Sequence, residues 1–532
     1  MRKVPRAVLF ALASFTASGA LLSARPIAAQ PAQPQPAKPA KPEDELGPGE
    51  QAVKAKPDRL GTELAAQPGG LTFATVAREA VLTSTAVKSR EADIDDAAGQ
   101  KTQTMVNFFP VLTLSASYTR LSPVDEPSLG GGGSILGAAN AGPVSVGPCP
   151  DNPAAQCVLD AGGLPVAAQP FDFSFPQFLN QYAFNANLTV PISDYFLRSV
   201  QAYNAAEHNE KSLEAQAEAE RLSAGADAKL ALLNWIGARG ARVVAELGIE
   251  QSKAQLADAK ATFEVGNASQ ADVFRIEAQL AQSEFNESEA RALENVAEHR
   301  LRVLMHAKPS RQFAIGVDIF KDPGAPKVGN IEELVSEAVQ ARLELKATSE
   351  LRMASEEIES TTNAGYWPRL DAFADATLAN PNQRIIPSRD KFDFTWDVGL
   401  RLTWTVNETF ATLGASKSAR ARTARIDAQQ EALVDAIRLE VVQAHADLMK
   451  AQPNVAAAAR GLQAAEETLR VTEKLFAFGK ATGTALADAQ TALQSARLRK
   501  LVAHVNQYGA LIRLEHAVGR DRGQAPLARN SR

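Results

Sequence analysis

Only a few residue patterns in this 532-residue sequence could perform chemistry, and each of them is incomplete. The segment GKAT, residues 479–482, matches the end of a phosphate-binding loop, in which backbone amides cradle phosphate groups. The first glycine of that pattern would fall on Lys474, and no strand is predicted before it. The segment therefore does not indicate a nucleotide site.

The six histidines have no spacing that is typical of metal ligands. They are His208, His299, His306, His445, His504 and His516. His299 and His306 are better explained as one exposed stripe of a helix. We therefore predict that the protein is not an enzyme and holds no metal or cofactor.

Two cysteines, Cys149 and Cys157, lie close together in a Gly/Pro-rich stretch. In an oxidising compartment they are expected to form one small loop disulfide, with free thiols or a metal pair as the alternatives.

The N-terminus has the layout of a secretory signal peptide over residues 1–29, with basic residues before an apolar run and small residues. Its removal takes away four basic residues and changes the formal net charge from −5 to −9. A mildly acidic mature chain argues against nucleic acid as a partner. The Pro/Ala-rich leader, 30–70, and the tail, 520–532, are predicted to be disordered.

No segment of the mature chain has the roughly 20 consecutive apolar residues that a membrane-spanning helix needs. Four segments instead alternate between apolar and polar residues, the period of a two-faced strand. One is FDFTWDVGLRLTWTV, residues 392–406, and the others lie near 112–118, 182–190 and 370–378. Each is about ten residues long, which suits a tilted strand with lipid on one side and water on the other.

The chain also contains an internal duplication. Residues 76–118 align without gaps to residues 334–376, and Glu79 is aligned with Glu337. Each repeat is predicted to hold a leading amphipathic helix, a strand, a loop, a second strand, a very long helix and a return helix after an FxxG turn.

The leading helices are expected at about 71–107 and 331–363, and the loop of the first repeat, 121–180, is far longer than that of the second. Each long helix covers about 72 residues, or about 108 Å. Ala-rich helices of this length indicate close helix packing, and an ordinary coiled-coil rod is the alternative. The predicted segments are 71–306 for the first repeat, 307–330 for a mid-height insert and 331–519 for the second repeat.

Four strands are too few to close a barrel, since the smallest bacterial outer-membrane barrels use about eight. An open sheet would leave backbone groups unsatisfied in lipid. Several chains are therefore expected to share one barrel. Tyr182, Trp396 and Trp404 would lie at its aromatic girdles, unless they pack between subunits.

The duplicated plan, the FxxG turns and the segments VGNASQADVFRIEAQL and FGKATGTALADAQTAL resemble the TolC outer-membrane efflux protein family. The resemblance implies a mixed α and β fold: a homotrimer in which four strands per chain form a shared β-barrel in outer membrane lipid. A long antiparallel α-helical barrel would continue it through the periplasm. It also implies an exit duct for an inner-membrane pump, joined through a periplasmic adaptor protein.

By the same resemblance, the helical tips close the periplasmic mouth. Asp488 matches one gate acid, and Asp272 matches a partner in the closing network. Ala485 stands where a second acid is expected, and Ala481 lies near the expected position of an arginine. Phe476 could plug the mouth or pack the turn.

Gly266 and Gly479 suit the left-handed residue that ends a helix. Lys480 follows Gly479 and could contact the adaptor protein, line the channel entrance or be a solvated surface residue. Pro453 interrupts the second long helix opposite Gly240, which suggests matched weak points where the tunnel coils and uncoils.

The sequence thus predicts the outer membrane channel subunit of a tripartite efflux or type I secretion system, with passive transport driven by the pump. The alternative is a structural coiled-coil protein that bridges the cell envelope without conducting solute.

Overall fold

The fold is described here from a computed structural model. The structure describes residues 59–123, 134–137, 140–170, 177–266, 268–324 and 329–524. The predicted signal peptide lies outside these residues, as do most of the predicted leader and most of the predicted tail.

Within the described residues the chain is mostly helical, with a small antiparallel sheet. The helices are α1 (Arg59–Glu63), α2 (Phe73–Thr83), α3 (Thr85–Val106), α4 (Ile192–Asp194), α5 (Val200–Glu264), α6 (Gln270–Leu304), α7 (Ile331–Ala341), α8 (Leu343–Asn363), α9 (Val406–Ala477) and α10 (Gly483–Val518). The strands are β1 (Val111–Arg120), β2 (Ser134–Gly137), β3 (Ser145–Cys149), β4 (Asn152–Leu159), β5 (Ala167–Pro170), β6 (Asn180–Val190), β7 (Arg369–Asn380) and β8 (Asp393–Thr403). A π-helical turn, Tyr195–Ser199, joins α4 to α5.

The main sheet has the strand order β1-β6-β7-β8, and each neighbouring pair is antiparallel. The segment between β1 and β6, predicted as one long loop, contains two short antiparallel sheets of two strands each, β2 with β5 and β3 with β4. Its Gly/Pro-rich composition hid these strands, because it lacks a clear alternation of apolar and polar residues.

Each leading helix is broken in two, where the sequence predicted one continuous helix. The breaks lie at Ser84 and Arg342, whose ψ angles of 126° are far from helical values. The Ser84 hydroxyl accepts a hydrogen bond from the backbone N–H of Val87 and so caps α3. Arg342 turns its guanidinium onto the end of α10, where it donates to the carbonyls of His516 and Ala517.

The long helices α5 and α9 have 65 and 72 residues, and α9 runs through Pro453 without ending. α5 packs against α6 and α10, and α10 packs against α9. The four helices therefore form a row in the order α6, α5, α10, α9.

Three apolar clusters stabilise this row. The largest surrounds Trp235 on α5 and includes the insert residues Ile315 and Ile319. A second joins α7, α9 and α10 around Val441. The third lies near the helix tips and contains Phe476 and Leu486.

The prediction that residues 30–70 are a disordered leader is wrong for the part that the structure describes. Arg59–Glu63 is helical, and Leu60 and Leu64 are buried in the large cluster. The composition of this segment did not reveal the helix, because only two leucines hold it against the large cluster. Arg59 adds ion pairs to Glu246 and Glu250.

The predicted disordered tail likewise begins too early. Arg520–Gln524 forms a 3-10 turn after the left-handed Gly519. Arg520 donates two hydrogen bonds to the Glu337 carboxylate, at 2.8 and 2.7 Å, which holds this turn against α7.

Candidate functional site

The main sheet has one apolar and one polar face. Register places most apolar side chains of the four strands on the same face, because most of them pair with an apolar residue of the next strand. One such row is Leu112, Leu188, Ala374 and Val398, and another is Ala116, Phe184, Leu378 and Phe394. This face is largely exposed: the exposed fraction is 72% for Leu114 and 66% for Trp396.

The opposite face carries a hydrogen-bonded polar network. Asn187 donates to the Asp375 carboxylate, and the Thr377 hydroxyl donates to the Asn185 side-chain carbonyl at 3.0 Å. Arg401 lies over the ring of Phe373, 4.8 Å from its centroid. A sheet with these two faces can separate an apolar medium from water.

The three aromatic residues predicted to form girdles lie at different heights on the apolar face. Tyr182 lies toward the end of the sheet at which β7 turns into β8, and its ring is 5.1 Å from Tyr118 and 6.0 Å from Phe392. Trp404 follows β8 at the opposite end, and Trp396 lies between them, paired with Ala376.

The two tips of the helix row end in the same kind of turn. Gly266 and Gly479 have φ angles of 81° and 68°, the left-handed region that favours glycine. In the second tip, the Lys480 N–H donates to the Leu475 carbonyl at 2.8 Å and the Gly479 N–H to the Phe476 carbonyl at 2.9 Å. These bonds satisfy carbonyls that the helix end leaves free. Lys480 itself is exposed.

Asp272 joins the two tips. Its carboxylate accepts hydrogen bonds from the hydroxyl and backbone N–H of Ser269, in a capping box that begins α6. The same carboxylate accepts from the backbone N–H of Gly483 at 3.1 Å, across the gap to α10. These bonds, above all the one from the Ser269 hydroxyl, hold the pKa of the Asp272 carboxyl below its ordinary value.

Two further groups support this junction. A Cβ atom at Gly483 would lie 2.7 Å from an Asp272 oxygen, so the close approach requires glycine. Arg275 donates to the Thr484 hydroxyl beside it. Sequence reasoning missed Ser269, Gly483 and Arg275, although the motif SQAD is a recognisable capping box.

The remaining gate residues lie apart from this junction. Asp488 is exposed on α10, two turns from the tip. Phe476 is buried in the tip cluster against Leu469 and Leu486 and therefore packs the turn of this chain. The exposed aromatic ring at the second tip belongs to Phe478.

Pro453 and Gly240 occupy different surroundings. Pro453 is exposed on α9. Gly240 is buried, and a Cβ atom there would lie 2.7 Å from the Leu501 side chain and 3.0 Å from that of Leu64. Gly240 thus permits close packing of α5 against α10 and the N-terminal segment.

Cys149 and Cys157 are joined in a disulfide that links β3 to β4. Among the residues that the structure describes, none of the His, Cys, Asp and Glu side chains cluster in a way that could hold a metal ion. No helix in the described ranges combines the length and apolar character that would let it span a bilayer.

The sequence pattern of the outer membrane efflux proteins matches residues 76–305 and 334–520, which is most of the chain. The chain belongs to the outer membrane efflux protein family. This confirms the resemblance seen in the sequence. Since members of the outer membrane efflux protein family are channels, it also confirms that the protein is not an enzyme.

Solved channels share the fold. The outer-membrane channel OprN is 17% identical with a TM-score of 0.66, and the match covers 90% of this chain and 100% of that one. VceC of Vibrio cholerae is 16% identical with a TM-score of 0.64, covering 84% and 96%. The CmeC channel of Campylobacter jejuni is 14% identical with a TM-score of 0.63, covering 90% and 94%. None of the proteins with curated functions matches this efflux family member in sequence.

Proposed function

We propose that this chain is the outer membrane exit duct of a tripartite efflux or type I secretion system. Transport through it is passive, and an inner-membrane pump, coupled through a periplasmic adaptor protein, supplies the energy. The duct is a homotrimer that gives twelve strands to one β-barrel in the outer membrane and continues as a helical tunnel in the periplasm.

The observation that carries the proposal is the continuous apolar face of the main sheet. Its apolar side chains are in register across four strands and largely exposed, while the other face is polar. Among the strands that the structure describes, β1 and β8 each pair with one strand only, at the two edges of the sheet. Lipid cannot satisfy the backbone groups of those edges, and neighbouring copies can.

The row of long helices also has two edges, α6 and α9, that expose apolar side chains. On α6, the residues that face α5 include Ile276, Ser283 and Leu301. The exposed residues Phe274, Phe285, Val296 and Val303 lie on the opposite side, spaced by 11, 11 and 7 residues. Eleven residues are about three helical turns, so these side chains form one stripe.

At the other edge of the row, the exposed side of α9 away from α10 carries the small side chains Ala446 and Ala464 together with the larger apolar side chains Leu439 and Val471. Because both edges expose apolar side chains, they suit a head-to-tail contact between copies, which closes into a ring. This arrangement supports a trimer with a continuous helical wall.

We further propose that the tips close the tunnel. In the trimer, three copies of Asp488 face one another above the turns, on the side toward the sheet, and Asp272 holds each pair of tips together. Gly266, Gly479 and Lys480 then form the end of the tunnel that the adaptor contacts. Phe476 contributes to closure by packing the turn.

Purified full-length protein in planar lipid bilayers tests the proposal. Stepwise ion currents from a detergent-stable trimer are expected. Intact trimers that carry no current would instead support the structural protein that bridges the envelope. A stable single-copy species in detergent would contradict both the shared barrel and the duct.

A further inference from the structure

A polar layer interrupts the packing between the tip cluster and the large cluster. Between Val244 and Ala259, the buried positions of α5 are Gly248, Ser252 and Gln255. The facing residue of α10 is Gln490, which is completely buried, and α6 contributes the buried Ser283. Large apolar side chains fill the core above and below, but polar groups fill this layer.

The layer is only partly hydrogen-bonded. The Gln490 side-chain amide donates to the Ser252 hydroxyl at 2.5 Å, and the Ser252 and Ser283 hydroxyls are 3.1 Å apart. The side-chain oxygen of Gln490 and the side-chain nitrogens of Gln255 and Gln494 are buried without a hydrogen-bond partner in the described structure. The layer thus contains one unpaired hydrogen-bond acceptor, on α10, and two unpaired donors, one on α5 and one on α10.

The other side of α10 is also loosely packed at this height. A cleft of about 530 Å³ separates α10 from α9 and is lined mainly by small residues, among them Ala457, Gly461 and Ala496. Between Leu493 and Leu501, Ala496 is the one buried residue of α10. This stretch therefore has a polar layer on one side and a cleft on the other.

We propose that residues 490–500 of α10 form a pivot about which the second tip moves relative to α5 and α6. A small rotation or shift of α10 relative to α5 brings the Gln490 oxygen toward the Gln255 amide, so a hydrogen bond that is not formed in one arrangement becomes available in another. Packed interfaces switch between discrete arrangements and do not deform continuously. The proposal rests on the proposed channel function, because opening of the tips is the motion that the pivot serves.

The pivot differs from the weak point that the sequence suggested. Gly240 lies farther from the helix tips than the polar layer does, and the side chains of Leu501 and Leu64 pack tightly against it. At the polar layer, glycine has another role, since a Cβ atom on Gly248 would lie 2.2 Å from the Gln494 side-chain nitrogen. Gly248 therefore leaves the room that the amides of α10 occupy.

Hydrogen exchange of the full-length protein in lipid nanodiscs tests the pivot. In the wild type, amides of residues 490–500 are expected to exchange at least about tenfold faster than those of residues 505–515, because local opening follows sparse packing. Making the centre of the layer apolar, with Gln490→Leu, Ser252→Ala and Ser283→Ala together, is expected to slow exchange at 490–500 by about tenfold or more.

Gln282→Leu is the matched control, because Gln282 is exposed on α6 next to Ser283. It is expected to leave exchange at 490–500 unchanged. If the triple variant does not assemble, Gln490→Met, which keeps the side-chain volume, takes its place. Two results would overturn the pivot. One is wild-type exchange at 490–500 as slow as at 505–515, and the other is exchange at 490–500 that the triple variant does not slow.

Single-channel recordings separate the pivot from the channel function. The apolar layer is expected to reduce the frequency of opening about tenfold and to leave the open-state current unchanged. If wild-type trimers carry no current, the proposed function fails, and the exchange rates alone decide whether the pivot exists.

Discussion

Asp272 is the residue through which one tip holds the other, because its carboxylate accepts hydrogen bonds from Ser269 and from Gly483. Asp272→Ala is expected to weaken the tip junction by about 1–2 kcal/mol, since the Gly483 N–H and the α6 capping box lose their acceptor. Faster hydrogen exchange at residues 483–489 would show the loss. Glu277→Ala, at an exposed position of the same helix, is the control and should leave that exchange unchanged.

The same junction should depend on pH. The folded protein holds the pKa of Asp272 below its ordinary value, so its contribution is complete at neutral pH. The contribution is lost as the pH falls below about 4 toward the folded-state pKa, because the carboxyl is then protonated. Exchange at residues 483–489 should therefore rise, relative to intrinsic rates, on acidification in the wild type but not in Asp272→Ala. An equal rise in both proteins would exclude this role.

At the scale of elements, the break between α7 and α8 exists because Arg342 reaches the end of α10. Its side chain is 11% exposed and forms ion pairs with Glu344 and Glu440. Arg342→Met is expected to destabilise the fold by about 2 kcal/mol, because carbonyls of α10 and a half-buried carboxylate lose their donor. A lower unfolding temperature of the detergent-purified protein, followed by circular dichroism, measures this.

Arg420→Met is the matched control for that experiment. Arg420 is 69% exposed and pairs with Glu359, so its loss should cost less than about 1 kcal/mol. If the two variants unfold at the same temperature, the contact of Arg342 with α10 does not stabilise the break.

The elements also show where sequence reasoning ends. The alternation in residues 392–406 located β8 because an exposed two-faced strand is encoded locally. The break at Arg342 was missed because its partners, His516 and Ala517, lie more than 170 residues away in sequence. The contact of Asp272 with Gly483 was missed for the same reason, since it spans 211 residues.

At the scale of the whole molecule, an apolar sheet face and a helical edge are both left for other molecules to cover. The sheet face suits lipid, because its apolar rows are uninterrupted by charge. The α6 stripe, by contrast, lies on a helix whose other exposed residues are mostly charged or polar, which suits contact with a second copy. In the proposed trimer, one chain would therefore have two different interfaces, one with lipid along the strands and one with protein along the helices.

Phe285 lies at the centre of the α6 stripe and is 58% exposed in the single chain. Phe285→Ser is expected to weaken each contact between copies by about 2–3 kcal/mol, because a large apolar side chain is then lost from the proposed contact with α9 of the next copy. The monomer fraction in detergent, measured by light scattering after gel filtration, should increase while the helical content stays constant. Leu82→Ser, equally exposed at 65% on α2, should leave the oligomeric state unchanged. A Phe285→Ser protein as fully trimeric as the wild type would show that α6 does not face α9 of the next copy, and another edge would have to close the wall.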